Sequence, residues 1–418
     1  TLLLLPGEKL AKFIRRKKMI AEGDAVIFIR EFDAYKDSAK VEYVERICAV
    51  GPSGTISLFT DLLGDPICRV RHSPAFLMLV AEIGDEVVGM IRGSIKTVTC
   101  GINISRNKKA SKPSVPILTK VAYVLGLRVS PSHRRMGIAY KLVQRMEEWF
   151  RHNGAEYSYM ATEHDNYASV NLFTEKCGYS KFRTPSILVN PVYAHCLPIS
   201  KAISIFHLSP SDAEYIYRLR FSTTEFFPVD IDAVLKNELN LGTFIAVPSC
   251  YGSWRSSKDF LANPPESWAM MSLWNCKDVF TFEVRGASFF KRTFAKTTRA
   301  VDRAFPFLKL PSVPELFKPF GLLFMYGLGG EGSRVLDMVK ALCANAHNMA
   351  KKRGCGVVAT EVSSREPLRL GIPHWKMLSC SEDLWCMKRL QEDYTDGLIG
   401  DWTKAPQGLS IFVDPREF

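Results

Sequence analysis

The stretch Ser130–Val143, SPSHRRMGIAYKLV, decides how the rest of the chain is read. At its centre Arg134, Gly137 and Ala139 are spaced R-x-x-G-x-A, between a β-rich run, KVAYVLGLRVS (120–130), and an amphipathic helix. A strand ending in a basic turn that opens a helix is a ready anion site. The first helical turn has unpaired N–H groups and carries the positive end of the macrodipole. Gly137 permits any φ and a close backbone approach, Ala139 is the next-smallest choice, and Arg134 and Arg135 pair well with phosphate oxygens. The ligand this suggests is a pyrophosphate. A solvated helix start explains the same residues, however, and the stretch lacks both G-x-G-x-x-G and Gly-Lys-Ser/Thr.

The neighbours supply context. In the helix, Ile138, Leu142, Val143, Met146, Trp149 and Phe150 share one stripe, and Asn153-Gly154 is a good stop signal. A strand AEYSYMATE (155–163), a helix NYASVNLFTEKC (166–177) and a strand YSKFRTPSILV (179–189) follow. Upstream, AVIFIREF (25–32) reads as a strand and DAYKDSAKVEYVERIC (33–48) as a capped helix. FLMLVAEIGDEVVGMIRGSIKTVT (76–99) reads as a hairpin about Gly84-Asp85, and GINISRNKKASKPSVP (101–116) as an exposed loop.

The second half repeats this order. ISIFHLS (203–209) matches the first strand, PSDAEYIYRLRFS (210–222) its helix, and LGTFIAVP with ESWAMMSLWN the hairpin. GLLFMYGLGGEG (321–332) then leads into helix SRVLDMVKALCANAHNMAKKRG, strand CGVVATEV and REPLRLGIPHW. Ala161-Thr162-Glu163 is echoed by Ala359-Thr360-Glu361, each after a Gly-terminated helix, which predicts an internal duplication of one α/β unit. In the second turn Glu331 stands where phosphate would approach, and like charge disfavours it. That copy is expected to keep the fold and to have lost ligand binding.

At 418 residues, 47% hydrophobic and 23% charged, the chain has room for two or three domains. The expected division is a leader at 1–24, a first domain at 25–198, and a second at 199–418 with a basic insertion at 285–319. The 11 cysteines form no C-x-x-C pair and the 8 histidines no H-E-x-x-H, so reduced thiols and no metal are expected. No apolar run is long enough to span a bilayer, so no membrane partner is expected. The net charge of +12 favours an acidic partner. Two basic segments could meet one: Arg15-Arg16-Lys17-Lys18, readable as a nuclear address, and 285–303, readable as a basic amphipathic helix for nucleic acid or an acidic protein.

LGLRVSP (125–131) and DNYASVNLFTEKCGY (165–179) together resemble motifs A and B of the GCN5-related N-acetyltransferase (GNAT) superfamily, and LVAEIGDEVVGMIRG (79–93) its second and third strands. More narrowly, VGPSGTISLFTDLLGDPICRVRHSP (50–74), RFSTTEFFP (220–228) and GIPHWKMLSC (371–380) resemble the plant Hookless family of probable N-acetyltransferases. The fold this implies is α/β (α+β): tandem GNAT-like domains, each a mixed, largely antiparallel central sheet flanked by helices. The resemblance also implies acetyl-CoA as co-substrate, a protein acceptor such as histone lysine, a nuclear or cytoplasmic place, and a role in plant growth and hormone responses. Association with a second copy stays open.

Carried onto this chain, the superfamily's roles put the backbone of Leu127, Arg128 and Val129 beside the pantetheine arm. They put Arg134, Arg135, Met136, Gly137, Ile138 and Ala139 around the pyrophosphate. Asn166 would contact the pantetheine, with Leu172, Cys177 and Gly178 packed nearby. The chain departs from the pattern at Phe173, where many active members have a Tyr that protonates the leaving thiolate; Phe cannot donate. Tyr167, Tyr179 or water would have to replace it. A lysine acceptor with its ordinary pKa of about 10.4 also needs a base or desolvation. Glu163 is the leading candidate base, with His164 and Asp165 behind it and Tyr123 and Glu82 on neighbouring strands. Two readings remain: an acetyl-CoA-dependent N-acetyltransferase, and a non-catalytic regulator that uses the same fold to bind CoA or protein partners.

Overall fold

The computed structural model describes residues 26–50, 56–101, 116–391 and 401–418. The leader at 1–24, with its basic run, and most of the polar loop at 101–116 lie outside them. Strand β1 (Ile27–Glu31) passes through Asp33, whose carboxylate accepts from the amides of Tyr35 and Lys36, into helix α1 (Ala34–Ile47). Then come β2 (Ser57–Asp61), the hairpin β3 (Ala75–Ile83) and β4 (Glu86–Thr99), and β5 (Leu118–Val129). Helix α2 (Ile138–His152), β6 (Tyr157–Glu163), the short α3 (Tyr167–Asn171) with a π-helical turn at Leu172–Lys176, and β7 (Ser180–Arg183) follow. The second run is β8 (Pro185–Pro191), β9 (Ile203–Leu208), α4 (Pro210–Phe221), α5 (Ile231–Lys236), β10 (Asn240–Pro248), α6 (Ser257–Ala262) and β11 (Trp268–Asn275). It continues with β12 (Thr281–Arg285), α7 (Phe289–Ala304), β13 (Leu322–Glu331), α8 (Val335–Arg353), β14 (Val357–Ser363) and β15 (Asp383–Arg389).

These strands make two mixed sheets, ordered β1-β3-β4-β5-β6-β15-β7 and β8-β14-β13-β11-β10-β9, and a ribbon β12-β2. The order β1-β3-β4-β5-β6 recurs as β9-β10-β11-β13-β14, and in both the last two strands form the parallel pair. The echo extends to irregularities: β4 against β5 is bulged between Met90 and Arg92, and β11 against β13 between Met270 and Ser272. The fold class read from the sequence is the one observed.

The strand read over 179–189 is in fact two. Pro185 has no N–H to give a ladder, so pairing breaks there. β7 stays in the first sheet beside β15, while β8 crosses to the second and pairs with β14 from Ser363↔Pro185 to Val357↔Pro191. In return β15, near the chain end, enters the first sheet between β6 and β7. Each sheet is thus completed by a strand that follows the other in sequence.

Helix α2 lies on one face of the first sheet through the stripe expected of it: Ile138, Leu142, Val143, Met146 and Phe150 are buried, each such side chain contributing about 1.5–3 kcal/mol. It sits close because β4 offers Gly93 beneath it, where a Cβ would strike Met146 and Phe150. The opposite face is shared with the second sheet in one core that includes Tyr157, Tyr159, Trp274, Phe324, Trp402 and Phe412. Helix α7 forms where the basic insertion was expected. It is anchored by Asp302, which accepts from Ala194 N and His195 Nδ1, and it exposes Phe289, Phe290 and Phe294. Among the described residues no helix is long and apolar enough to cross a membrane, and no group of side chains is arranged to hold a metal ion.

A buried ion pair ties β7 to the segment after α4 and to the tail. Arg183 reaches Glu225 through Nη2 at 2.6 Å and Nε at 2.9 Å, and Trp402 Nε1 donates to the same carboxylate at 3.1 Å. Removing one partner leaves the other charge buried and unpaired, which costs about 3–5 kcal/mol. Glu225→Ala is expected to lower unfolding stability by about that amount in urea titration; a loss under about 1 kcal/mol would show that water reaches Arg183.

Candidate functional site: an opening between β5 and β6

Strands β5 and β6 run parallel and pair from Val121↔Tyr157 to Val124↔Met160, where the pairing stops. Beyond it β5 continues to Val129 beside β4, and β6 continues to Glu163 beside β15. The cause lies at Gly126, which has φ +60 at the bulge and where a Cβ would strike the Arg92 guanidinium. The edge of Leu125–Val129 that turned toward β6 therefore leaves its ladder, and no strand pairs with it; Leu127 O accepts from Arg128 Nη1 at 3.2 Å and Val129 O from Cys48 Sγ at 3.5 Å.

That edge runs directly into the basic turn. After the 3-10 turn Pro131–His133, Arg135 and Gly137 both take left-handed backbone, φ +69 and +77. Gly137 is the N-cap of α2, has no side-chain cap bond, and has open space where a Cβ would stand. The first N–H groups of α2 thus point out beside the exposed Arg134 and Arg135, with Met136 and Ala139 half-buried and Ile138 buried as an anchor. Leu127 and Val129 pack partly against the core under α2. The Arg128 side chain is already engaged, donating to Glu45 at 3.0 Å, and its backbone lies opposite Met90 of β4.

Across the opening, Asn166 caps α3 by accepting from Ser169 N and donates to Thr162 Oγ1 at 3.2 Å, which fixes the end of β6. Glu163 is half-buried; burial and the nearby Asp165 raise its pKa above the ordinary carboxylate value. His164 and Asp165 are exposed, and Tyr167 is 69% exposed. Phe173 is 1% exposed and packs edge-on against Tyr179, with Cys177 in the same cluster and Leu172 partly buried against it. Tyr179 is buried, and its hydroxyl is paired with Ser158 Oγ at 2.8 Å. Glu82 lies in an ion-pair cluster with Arg30 and Lys36, and its pKa is lowered chiefly by the hydrogen bond from Arg30.

Sequence reasoning missed the groups on the far side of β6. β15 sets Asp383 directly opposite Glu163, and Trp385, two residues on, donates from Nε1 to Glu361 at 2.8 Å. Burial, then Glu163, pushes Asp383 up to about 7; burial, then Asp383, raises Glu361 well above the carboxylate range. Tyr123, named as a candidate from the sequence, lies here too, its ring 4.7 Å from that of Tyr159, with its pKa raised by burial and by Glu417 and Glu361. The echo Ala359-Thr360-Glu361 was the available signal for one of these; nothing in the sequence marked Asp383.

The matching opening in the second sheet is filled. Gly327 has φ +63, and a Cβ there would strike Tyr217, whose hydroxyl donates to Gly327 O at 3.2 Å. At the start of α8, Arg334 N donates to Ser267 Oγ at 3.0 Å, and Glu331 is paired with Arg220 at 2.5 Å. The donors left open at α2 are already used at this point.

A profile described as "Acetyltransferase (GNAT) family" matches residues 49–179. "Probable N-acetyltransferase HLS1" from Arabidopsis thaliana is 67% identical over 400 residues, 93% of this chain and 99% of that one. "Acetyl transferase GW6a" from Oryza sativa subsp. japonica is 39% identical over 435 residues, 94% of this chain and 98% of that one. Among solved structures, the GCN5-related glucosamine N-acetyltransferase region of a fungal multi-domain β-N-acetylglucosaminidase has a TM-score of 0.49 at 13% identity, over 87% of this chain and 38% of that one. With near full-length identity to plant relatives, and a GNAT profile spanning the opening, the chain belongs to the GNAT acetyltransferase family.

Proposed function

We propose that the protein is an acetyl-CoA-dependent N-acetyltransferase, with a protein amine as acceptor and histone lysine as the first to test. The observation that carries this is the difference between the two halves. The first keeps a strand edge, Leu125–Val129, whose β6 side no strand pairs, continuous with the helix start at Gly137, whereas in the second Tyr217 bonds to Gly327 O and the helix-start amides of Arg334 and Val335 are bonded to Ser267 Oγ and Gly332 O. A pantetheine amide chain would pair with that edge, and its pyrophosphate would take the N–H groups of α2 beside Arg134 and Arg135. Asn166 would steady the pantetheine across the opening. Glu163, at the mouth of the opening, would accept the acceptor's proton, and Tyr167 or water would supply one to the leaving thiolate. The growth-regulatory role and nuclear or cytoplasmic place implied by the plant resemblance, and an acidic partner or nucleic acid for the exposed Lys291, Arg292 and Lys296 of α7, belong to the same proposal.

One observation favours the non-catalytic reading. Phe173 is buried in the core under α2, so the position that carries a proton donor in many relatives presents no donor to the opening. The two readings separate at turnover rather than at binding.

Titration calorimetry with acetyl-CoA is expected to show one site per chain, weakened at least about tenfold in Gly137→Glu. A side chain there must adopt φ +77, at about 1–3 kcal/mol, and carry negative charge to the phosphates. Absence of binding by the wild type would remove the cofactor assignment. In transfer assays over histone peptides, Glu163→Gln should lower kcat by about 10²–10⁴-fold. Because Glu163 works as a base only when deprotonated, and its pKa is raised, the wild-type rate should climb with pH through a limb above the ordinary carboxylate range. The Gln variant should lose that limb; an unchanged profile would assign the base elsewhere.

A further inference from the structure

The face of the first sheet away from α2 meets the second sheet along a seam, and the carboxylates there exceed what a structural role needs. Glu163 and Asp383 are cross-strand neighbours on β6 and β15. Glu361 reaches the same place from β14 through Trp385 Nε1. Glu417 arrives from the tail. Its Oε2 accepts from Tyr159 Oη at 2.5 Å and pairs with Lys96 at 2.6 Å, while its Oε1 is buried with no hydrogen-bond partner among the described residues. Glu417 is itself only 8% exposed, and its charge acts on both Tyr123 and Glu361. A buried acceptor left without a donor is costly, and so is a set of buried like charges. Lys96 offsets this in part, but shares its charge with Asp414 at 3.3 Å, and Arg69 stands on the Tyr123 side of the group.

Between the carboxylates is a floor of rings. Tyr123 packs at a tilt against Tyr159 at 4.7 Å, Tyr159 likewise against Trp385 at 5.3 Å, and Phe226 lies against both Tyr159 and Trp385. Faces of Tyr and Trp attract cations, and carboxylates with raised pKa take up protons; an alkylammonium group satisfies both and supplies the missing donors. We infer that this seam is the acceptor site, where Glu361 and Asp383 of the second half join Glu163 of the first to hold the ammonium head of a lysine-like primary amine over Tyr123, Tyr159 and Trp385.

The inference rests on the proposed function for its meaning, since the seam lies along β6 from the opening that would seat the acetyl donor. In the proton step, R–NH3⁺ and one carboxylate of the Glu163–Asp383 pair become R–NH2 and a carboxylic acid, the proton staying on the pair and the nitrogen lone pair becoming free. Lys96 on Glu417 is an internal example of an ammonium bound at the rim of the same group.

The test uses the full chain with n-butylamine as probe and butan-1-ol as its uncharged control, followed by calorimetry or ligand-observed NMR, with acetyl-CoA binding measured on the same samples. The amine is expected to bind and the alcohol not. Glu361→Gln and Asp383→Asn, each checked by thermal melting, should each weaken the amine roughly tenfold, the loss of one charge-assisted contact. Equal binding of amine and alcohol, no amine binding, or unchanged affinity in both variants would overturn the inference. If a variant does not fold, the amine-against-alcohol comparison on the wild type still decides. Acetyl-CoA binding without amine binding removes this inference and leaves the proposed function standing; amine binding without acetyl-CoA binding removes the proposed function, and with it the acceptor role, and leaves only an ammonium-binding seam.

Discussion

Strand β6 is held unequally on its two sides, and the site depends on that inequality. β15 pairs with it over its whole length, from Arg389↔Tyr157 to Asp383↔Glu163, whereas β5 pairs only as far as Val124↔Met160. With one edge secured, β6 stays straight while β5 turns away at Gly126, and the gap opens without fraying the sheet. If β15 were missing, β6 would be an edge strand with two partly unpaired sides, and closing the gap would be the cheapest way to satisfy its backbone. The opening is therefore maintained by a strand that lies more than two hundred residues away in the chain.

Local physics was legible in the sequence. The stripe Ile138–Phe150, the Gly137 turn and the hairpin about Gly84-Asp85 each depend on residues within a few positions of one another, and each stands where it was read. The duplication was legible too, because a repeated order of elements survives even where side chains differ. Strand exchange was not. A strand's partner is set by non-local pairing, and neither PSILVNP nor DLWCMKR carries a mark of the sheet it joins. Only Pro185 hinted that one β run would be divided. The site followed the same rule: the residues of the turn were found from spacing, while Asp383 became the neighbour of Glu163 only through the exchange.

The two halves share a bulge, a left-handed glycine and a parallel strand pair, yet they have diverged in what fills the gap. In the second half Tyr217 bonds to Gly327 O, Ser267 Oγ accepts from Arg334 N and Gly332 O from Val335 N at the helix start, so polar groups that a ligand would need are satisfied internally. In the first half Arg92 occupies the position matched by Ser272, with its guanidinium beside Gly126 and bonded to Glu45 and Pro66 O. A copy whose backbone donors are self-satisfied loses nothing by folding without a ligand, and gains stability from it.

That gain does not make the second half dispensable to chemistry. It lends β15 to keep the first opening apart, and on the acceptor-site inference it lends Glu361 and Asp383 as well. Duplication explains why the carboxylates meet. Glu163 and Glu361 end corresponding strands, and the reciprocal exchange of β8 and β15 turns those two ends toward a common seam. Two copies of a sheet that each ended in one glutamate would ordinarily carry separate, solvated carboxylates with ordinary acidity. Interlocked, they set Asp383 between the two, so that Glu163 raises the pKa of Asp383 and Asp383 that of Glu361, the condition under which a carboxylate accepts a proton near neutral pH.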